Sequence, residues 1–212
     1  MFSFQSNRQN MKLIVMTSPR FYVEEDKILS ALFEAGLDLL HLFKPDQEPV
    51  YSERLLTLLP ENCRGSVVVH EHFYLKDEFR LRGICLDGAQ TPVPAGYRGQ
   101  LSRVCHSLGD LRDAKRGSDY VLLKSIFDSQ STPEDKQGFT LDELERAGQQ
   151  GLIDRHVYAL GGINIGNIRL MRELGFGGVV ICGDLWNRFD IHQGRDYRDL
   201  IAHFEKLRKE VQ

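Results

Sequence analysis

The chain has 212 residues, 42% of them hydrophobic and 27% charged, with a formal net charge of -3. This is the composition of a globular protein, and it excludes a disordered or collagen-like chain and a membrane span. Twenty-seven basic side chains against thirty acidic ones leave no electrostatic footprint for nucleic acid, so an anionic ligand has to be gripped locally by a loop or a helix end. Residues 1–10 are polar apart from two Phe and read as a tail; Met11 opens the first strand-like run, and 11–212 reads as a single domain. A core of that size needs neither disulfides nor a structural metal.

Eight short apolar runs rich in β-branched residues follow one another at 13–17, 37–43, 66–70, 83–87, 102–106, 120–124, 156–160 and 178–182. They are continuously apolar where a half-exposed strand would alternate, as expected of strands buried on both faces of a parallel sheet. Helical spacing fills most of the intervals. Residues 24–35 form an amphipathic stretch ended by Gly36, and 51–59 stops at Pro60. Residues 88–100 carry Pro92, Pro94, Gly96 and Gly99, so the fourth helix is expected to be short or missing. The irregular stretch 128–138 reads as a loop over an active site. Thr140 with Glu143 predicts a capping box before Leu141, Leu144 and Ala147. Asn164 or Gly166 opens a helix over 167–174 that ends at Gly175, and 196–211 places Tyr197, Leu200, Ile201, Phe204 and Leu207 on one stripe.

Eight such units average about 26 residues each, which is short but sufficient for a (β/α)8 TIM barrel. The alternative is an open doubly wound sheet, but Met16-Thr17-Ser18-Pro19-Arg20 stands after the first run where a dinucleotide-binding G-x-G-x-x-G would be needed. In a barrel the site lies at the C-terminal ends of the strands. Those ends carry Thr17-Ser18, His41 to Lys44, His70-Glu71, Asp87, Cys105-His106-Ser107, Lys124-Ser125, Gly161 to Asn164 and Cys182-Gly183-Asp184. The sharpest signal is the pair Gly161-Gly162-Ile163-Asn164 and Gly177 to Gly183, on two successive late strands. Glycines there let backbone N–H groups approach a phosphate, as in the phosphate site after strands seven and eight of many barrels. The plainer alternative is that these glycines only make tight strand–helix turns; the presence of the pattern in both loops favours the phosphate.

Cys63, Cys85, Cys105 and Cys182 show neither C-x-x-C nor zinc-type spacing, and three of them sit in apolar runs, pointing to free thiols and a reducing cytoplasm. His41, His70 and His72 do not make a metal site by spacing, because only the last two are close in sequence. Trp186 reads as a cap on the core, and 205–210 as a solvated charged face.

Four stretches carry a family likeness: Val104-Cys105-His106-Ser107-Leu108 followed by Ala114; Gly117-Ser118-Asp119-Tyr120-Val121; Ile126-Phe127-Asp128-Ser129-Gln130-Ser131; and the two glycine loops. From Met11 onward the chain resembles thiamine phosphate synthase and its relative, the thiazole tautomerase. The resemblance implies a barrel binding a thiazole phosphate, with Gly161, Gly162, Cys182, Gly183, Ser129 and Ser131 around the phosphate. For the synthase it further implies a pyrimidine methyl pyrophosphate, bound with Mg2+, that loses pyrophosphate and is captured by the thiazole nitrogen. The synthase's cationic Gln-x-Arg-x-Lys after the second strand is here His41-Leu42-Phe43-Lys44-Pro45, and its Asn-Asp after the third is His70-Glu71. Its second metal Asp would fall near Gln90, with Asp87 as substitute, and its sixth-loop lysine is Thr132, with Lys136 or Lys124 as stand-ins.

The resulting expectations are His106, Lys44 and Cys105 as catalytic residues, His41, His70 and Lys136 as further substrate contacts, and Glu71 and Asp87 as Mg2+ ligands. The tautomerase is implied as the alternative because it needs a His directly after the fifth strand, where His106 stands, and neither metal nor pyrophosphate. An imidazole there can remove and return a proton. A non-catalytic phosphate-ligand binder keeping the fold is the third reading. Partners are expected to be small phosphorylated thiazole and pyrimidine molecules, with no nucleic acid and no membrane; the chain is compatible with a homodimer.

Overall fold

A computed structural model describes residues 10–131, 136–189 and 197–212. The expected tail lies almost wholly outside them, as does Thr132. Eight parallel strands close a barrel in sequence order: β1 (Lys12–Met16), β2 (Leu40–Leu42), β3 (Val67–Val69), β4 (Gly83–Asp87), β5 (Gln100–Cys105), β6 (Tyr120–Lys124), β7 (Val157–Leu160) and β8 (Gly178–Ile181). β8 returns to β1 with Lys12 opposite Gly178 and Val15 opposite Ile181, so no edge is left open. The helices are α1 (Glu25–Glu34), α2 (Pro49–Leu58), α3 (Glu61–Arg64), α4 (Leu75–Glu78), α5 (Leu111–Arg116), α6 (Leu141–Gln149), α7 (Ile168–Glu173), α8 (Gly183–Trp186) and α9 (Tyr197–Glu210). None of the described helices is long and apolar enough to cross a membrane.

Strand alternation divides the apolar residues between two shells. Val15, Leu40, Leu42, Val67, Val69, Ile84, Leu86 and Cys105 face the helices, whereas Ile14, Met16, Val68, Cys85, Val104, Leu122, Leu160 and Val180 fill the barrel. Because both shells are apolar, the strands read as unbroken hydrophobic runs in the sequence. β2 and β3 are shorter than the runs at 37–43 and 66–70 suggest, since the ladder covers three residues in each.

The helix ends follow their local chemistry. Gly36, at φ +93°, takes the left-handed turn after α1, and the capping box forms as expected. Thr140 Oγ1 accepts the Glu143 N–H at 3.3 Å, and the Glu143 carboxylate accepts the Thr140 N–H at 2.8 Å. Residues 88–99 contain no helix. Arg103 Nη1 ties this segment down through Gly88 O (3.0 Å) and Thr91 O (2.7 Å). Tyr97 closes its far end, donating to Gln100 O at 2.6 Å and accepting from Ile84 N at 3.1 Å. Trp186 caps the core, donating from Nε1 to Met16 O at 2.7 Å and stacking on Tyr22. The one-turn helices α3 and α4 and the short α5 carry no clear apolar period in the sequence.

Candidate active site

A cavity of about 330 Å3 opens at the C-terminal end of the barrel, and the ends of all eight strands reach it. Its late side is built from the loops after β6, β7 and β8. Gly161 and Gly162 follow β7 at φ +102° and +64°, a conformation that side chains other than glycine rarely adopt. A Cβ on Gly162 would lie 2.5 Å from Asp128 O and 2.6 Å from Phe127 Cβ, and one on Gly183 would lie 2.5 Å from Gln130 Cβ. The glycines therefore let the loop after β6 lie directly on the other two loops, which brings Ser129 and Ser131 to the cavity with their hydroxyls 3.5 Å apart. Among the described residues the N–H groups of Gly162 and Gly183 donate to no protein group. Two backbone donors and two hydroxyls thus lie on the cavity wall, which Lys124 also lines, a donor set chemically suited to an anion.

Cys182 lines the same wall, but its thiol donates to Thr17 O at 3.5 Å and burial holds its pKa above the usual thiol range. Asp184 is held from the far side by His203 Nε2 at 2.7 Å and Arg188 Nη2 at 3.2 Å.

Across the cavity, β4 and β5 place Asp87 and His106 side by side, with Nε2 of His106 2.7 Å from Asp87 Oδ1. Both side chains are open to solvent, at 78% and 53% exposed, and both line the cavity. A carboxylate on one ring nitrogen fixes the orientation of the imidazole and leaves Nδ1 for proton exchange.

The early strands differ from expectation. Lys44 does not reach the cavity: its side chain is 1% exposed, with Nζ 2.7 and 2.9 Å from the Glu25 carboxylate, 2.9 Å from Arg20 O and over the Phe21 ring. Burial raises the Glu25 pKa and lowers that of Lys44, and their mutual attraction opposes both shifts. The expected catalytic lysine is thus a structural ion pair under α1. Cys105 is also excluded from the cavity, because it is an outward position of β5, 1% exposed among the helices, with its thiol pushed up to about 11 by burial. His41, an inward position of β2, is fully buried below the cavity. Its Nδ1 lies 2.9 Å from His70 Nε2 and its Nε2 2.6 Å from the Tyr120 hydroxyl, so it is no substrate contact. Lys136 stands outside the cavity, 70% exposed and 3.8 Å from Asp128. His70 does line the cavity, and burial pushes its pKa down to about 4.

Among the described residues no cluster of three oxygen ligands is preformed for the Mg2+ that the family likeness implies; Glu71 and Asp87 are the two carboxylates that would hold it. Asp87 is committed to His106. Glu71, although it lines the cavity, accepts the Lys44 N–H at 3.0 Å, and burial raises its pKa. A hard octahedral ion needs oxygen donors, yet the one group of three potential ligands among the described residues is His41, His70 and Cys85, two nitrogens and a sulfur. Sequence reasoning missed Cys85 and Tyr120 as partners of the histidines; the signal was their inward parity on β4 and β6, which meets that of His41 on β2 across the barrel interior.

No protein-family model and no curated protein sequence matches the chain. Among solved structures, a thiamine phosphate pyrophosphorylase from Bacteroides thetaiotaomicron is 48% identical, with a TM-score of 0.84 over 94% of this chain and 97% of that one. A thiamine phosphate pyrophosphorylase from Pyrococcus furiosus is 20% identical, with a TM-score of 0.73 and 96% of each chain covered. The alpha subunit of tryptophan synthase from Legionella pneumophila, 14% identical with a TM-score of 0.64 over 98% of this chain and 94% of its own, shares the fold alone.

Proposed function

Because this chain belongs to the thiamine phosphate pyrophosphorylase (thiamine phosphate synthase) family, we propose that it is a cytoplasmic enzyme of thiamine biosynthesis that binds a thiazole phosphate and moves a proton on its ring. The observation that carries this reading is the His106–Asp87 pair facing the glycine-lined corner across one cavity. The phosphate sits at the N–H groups of Gly162 and Gly183 and the hydroxyls of Ser129 and Ser131, which directs the ring toward His106. Nδ1 of His106 takes a proton from one ring position and returns it at another, giving the aromatic thiazole. Asp87, on Nε2, steadies the imidazolium between the two transfers. Such acid–base help contributes about 10^2- to 10^4-fold in rate. The chemistry needs no pyrophosphate cradle, in keeping with the withdrawal of Lys44 into its pair with Glu25.

Coupling of a pyrimidine pyrophosphate to the thiazole phosphate is the second reading, and the name of the 48% identical relative favours it. Both reactions should be assayed with and without Mg2+. Isomerisation that collapses in His106→Ala while thiazole phosphate still binds supports the proposal. Mg2+-dependent coupling unaffected by that substitution replaces it with the second reading. Tight binding without turnover in either assay would make the chain a phosphate-ligand binder.

A further inference from the structure

The proposed reaction makes no use of a second cluster at the base of the cavity. β2, the end of β3 and β4 direct His41, His70 and Cys85 into the barrel, where their nitrogen and sulfur atoms all lie within 4.8 Å of one another. We propose that these three side chains bind a borderline-soft cation of the Zn2+ class, with its fourth coordination position facing the cavity.

The donor set is two imidazoles and a thiol, which selects Zn2+-like ions over hard, oxygen-seeking ones. Around a tetrahedral zinc the ligand atoms stand about 3.3–3.6 Å apart. His41 Nδ1 and His70 Nε2, at 2.9 Å, therefore need to open only slightly, and Cys85 to close in. Coordination through Nδ1 obliges His41 to carry its hydrogen on Nε2, and that atom has the Tyr120 hydroxyl oxygen 2.6 Å away to accept it. Metal-bound histidines commonly have such an outer partner fixing the ring. Both imidazoles are held neutral by burial, the form that binds metal.

Val68, Val104 and Val180 share the apolar barrel interior with Cys85, while His70 and Cys85 line the cavity and provide the entry path. Of the charged groups facing the cluster, Asp87 and Glu71 favour a cation and Lys124 and Arg103 oppose it. Burial raises the Cys85 thiol to about 12, so binding replaces the S–H proton by the metal and releases that proton to solvent.

Co2+ added to the chelator-treated full chain provides the test. The expected result is saturation at one Co2+ per chain, an intense near-ultraviolet thiolate-to-cobalt band, release of one proton per metal in weakly buffered solution, and displacement by Zn2+. Cys85→Ser should abolish the band, and His70→Gln should weaken binding at least tenfold. The proposal fails if the folded wild-type chain gives no saturable band or releases no proton, or if the band persists in Cys85→Ser. The wild-type measurements decide the matter by themselves should a variant not fold. Loss of isomerase or coupling activity does not bear on them.

Discussion

The two sides of the barrel mouth treat polarity in opposite ways. After β6, β7 and β8 the chain offers backbone N–H groups and small hydroxyls to the cavity, and its charged Asp184 is held from outside by His203 and Arg188. After β2 and β3 the charges are engaged by the protein: Lys44 pairs with Glu25 under α1, and Glu71, although it lines the cavity, accepts the Lys44 backbone N–H. Asp87 and His106, on the strands between, are both well exposed at the mouth, and Lys124 at the end of β6 also lines the cavity. On the reading proposed above, the glycine and serine corner would take one phosphate and the Asp87–His106 pair would move one proton. A pyrophosphate leaving group would call for cations, of which Lys44 is buried in its pair with Glu25 while Lys124 lines the cavity.

The largest expected effect lies at the pair itself. His106→Ala should lower isomerisation by about 10^2- to 10^4-fold with little change in thiazole phosphate affinity, as measured by steady-state kinetics and calorimetry. A rate within threefold of wild type would sink the assignment. Next is the buried ion pair: Lys44→Met should destabilise the chain by about 3–5 kcal/mol because it strands Glu25, and the double change with Glu25→Leu should restore most of that. Denaturant unfolding measures the stability. Phosphate affinity, unchanged in the double variant, checks that Lys44 belongs to the scaffold and not to the site.

Acid should erode the early side first. His70 and His41 are kept neutral chiefly by burial, with folded pKa values below the ordinary 6.5 and that of His70 near 4. The unfolded chain thus binds more protons than the folded one between about pH 6.5 and 4, so stability is complete above that window and falls as pH falls through it. The expected loss is on the order of 2 kcal/mol, read from urea midpoints with chelator present, and His70→Gln should flatten the profile. The smallest effect concerns the glycine corner: Gly162→Ala, which sets a Cβ against Asp128 O, should weaken phosphate binding about tenfold, or roughly 1.4 kcal/mol, while the Lys44–Glu25 variants leave it alone.

These residues also mark how far the sequence could be read. Gly161, Gly162 and Gly183 were legible because a glycine at a strand end has few other uses, and His106 because its place directly after a strand run aims it at the mouth. Lys44 and Cys105 misled for a common reason. One residue of strand parity, or a single bend after the last ladder bond, turns a side chain from the cavity to the helices. The residue type records nothing of that turn. Asp87 reads as a metal ligand since a carboxylate at a strand end suits several tasks, and its 2.7 Å approach to His106 is visible only in the tertiary structure.

What the sequence by itself determined is everything that depends on local pattern. Continuous apolar runs require strands buried on both faces, the prolines and glycines of 88–100 forbid a fourth helix, and Thr140 with Glu143 caps α6. The tertiary structure alone decided the pairings across the barrel: Asp87 with His106, Lys44 with Glu25, and His41 with His70, Cys85 and Tyr120. These partners are separated by 19 to 79 residues along the chain. The barrel pairs meet because the closed parallel register sets inward positions of different strands at the same height, whereas Lys44, beyond the end of β2, meets Glu25 on α1.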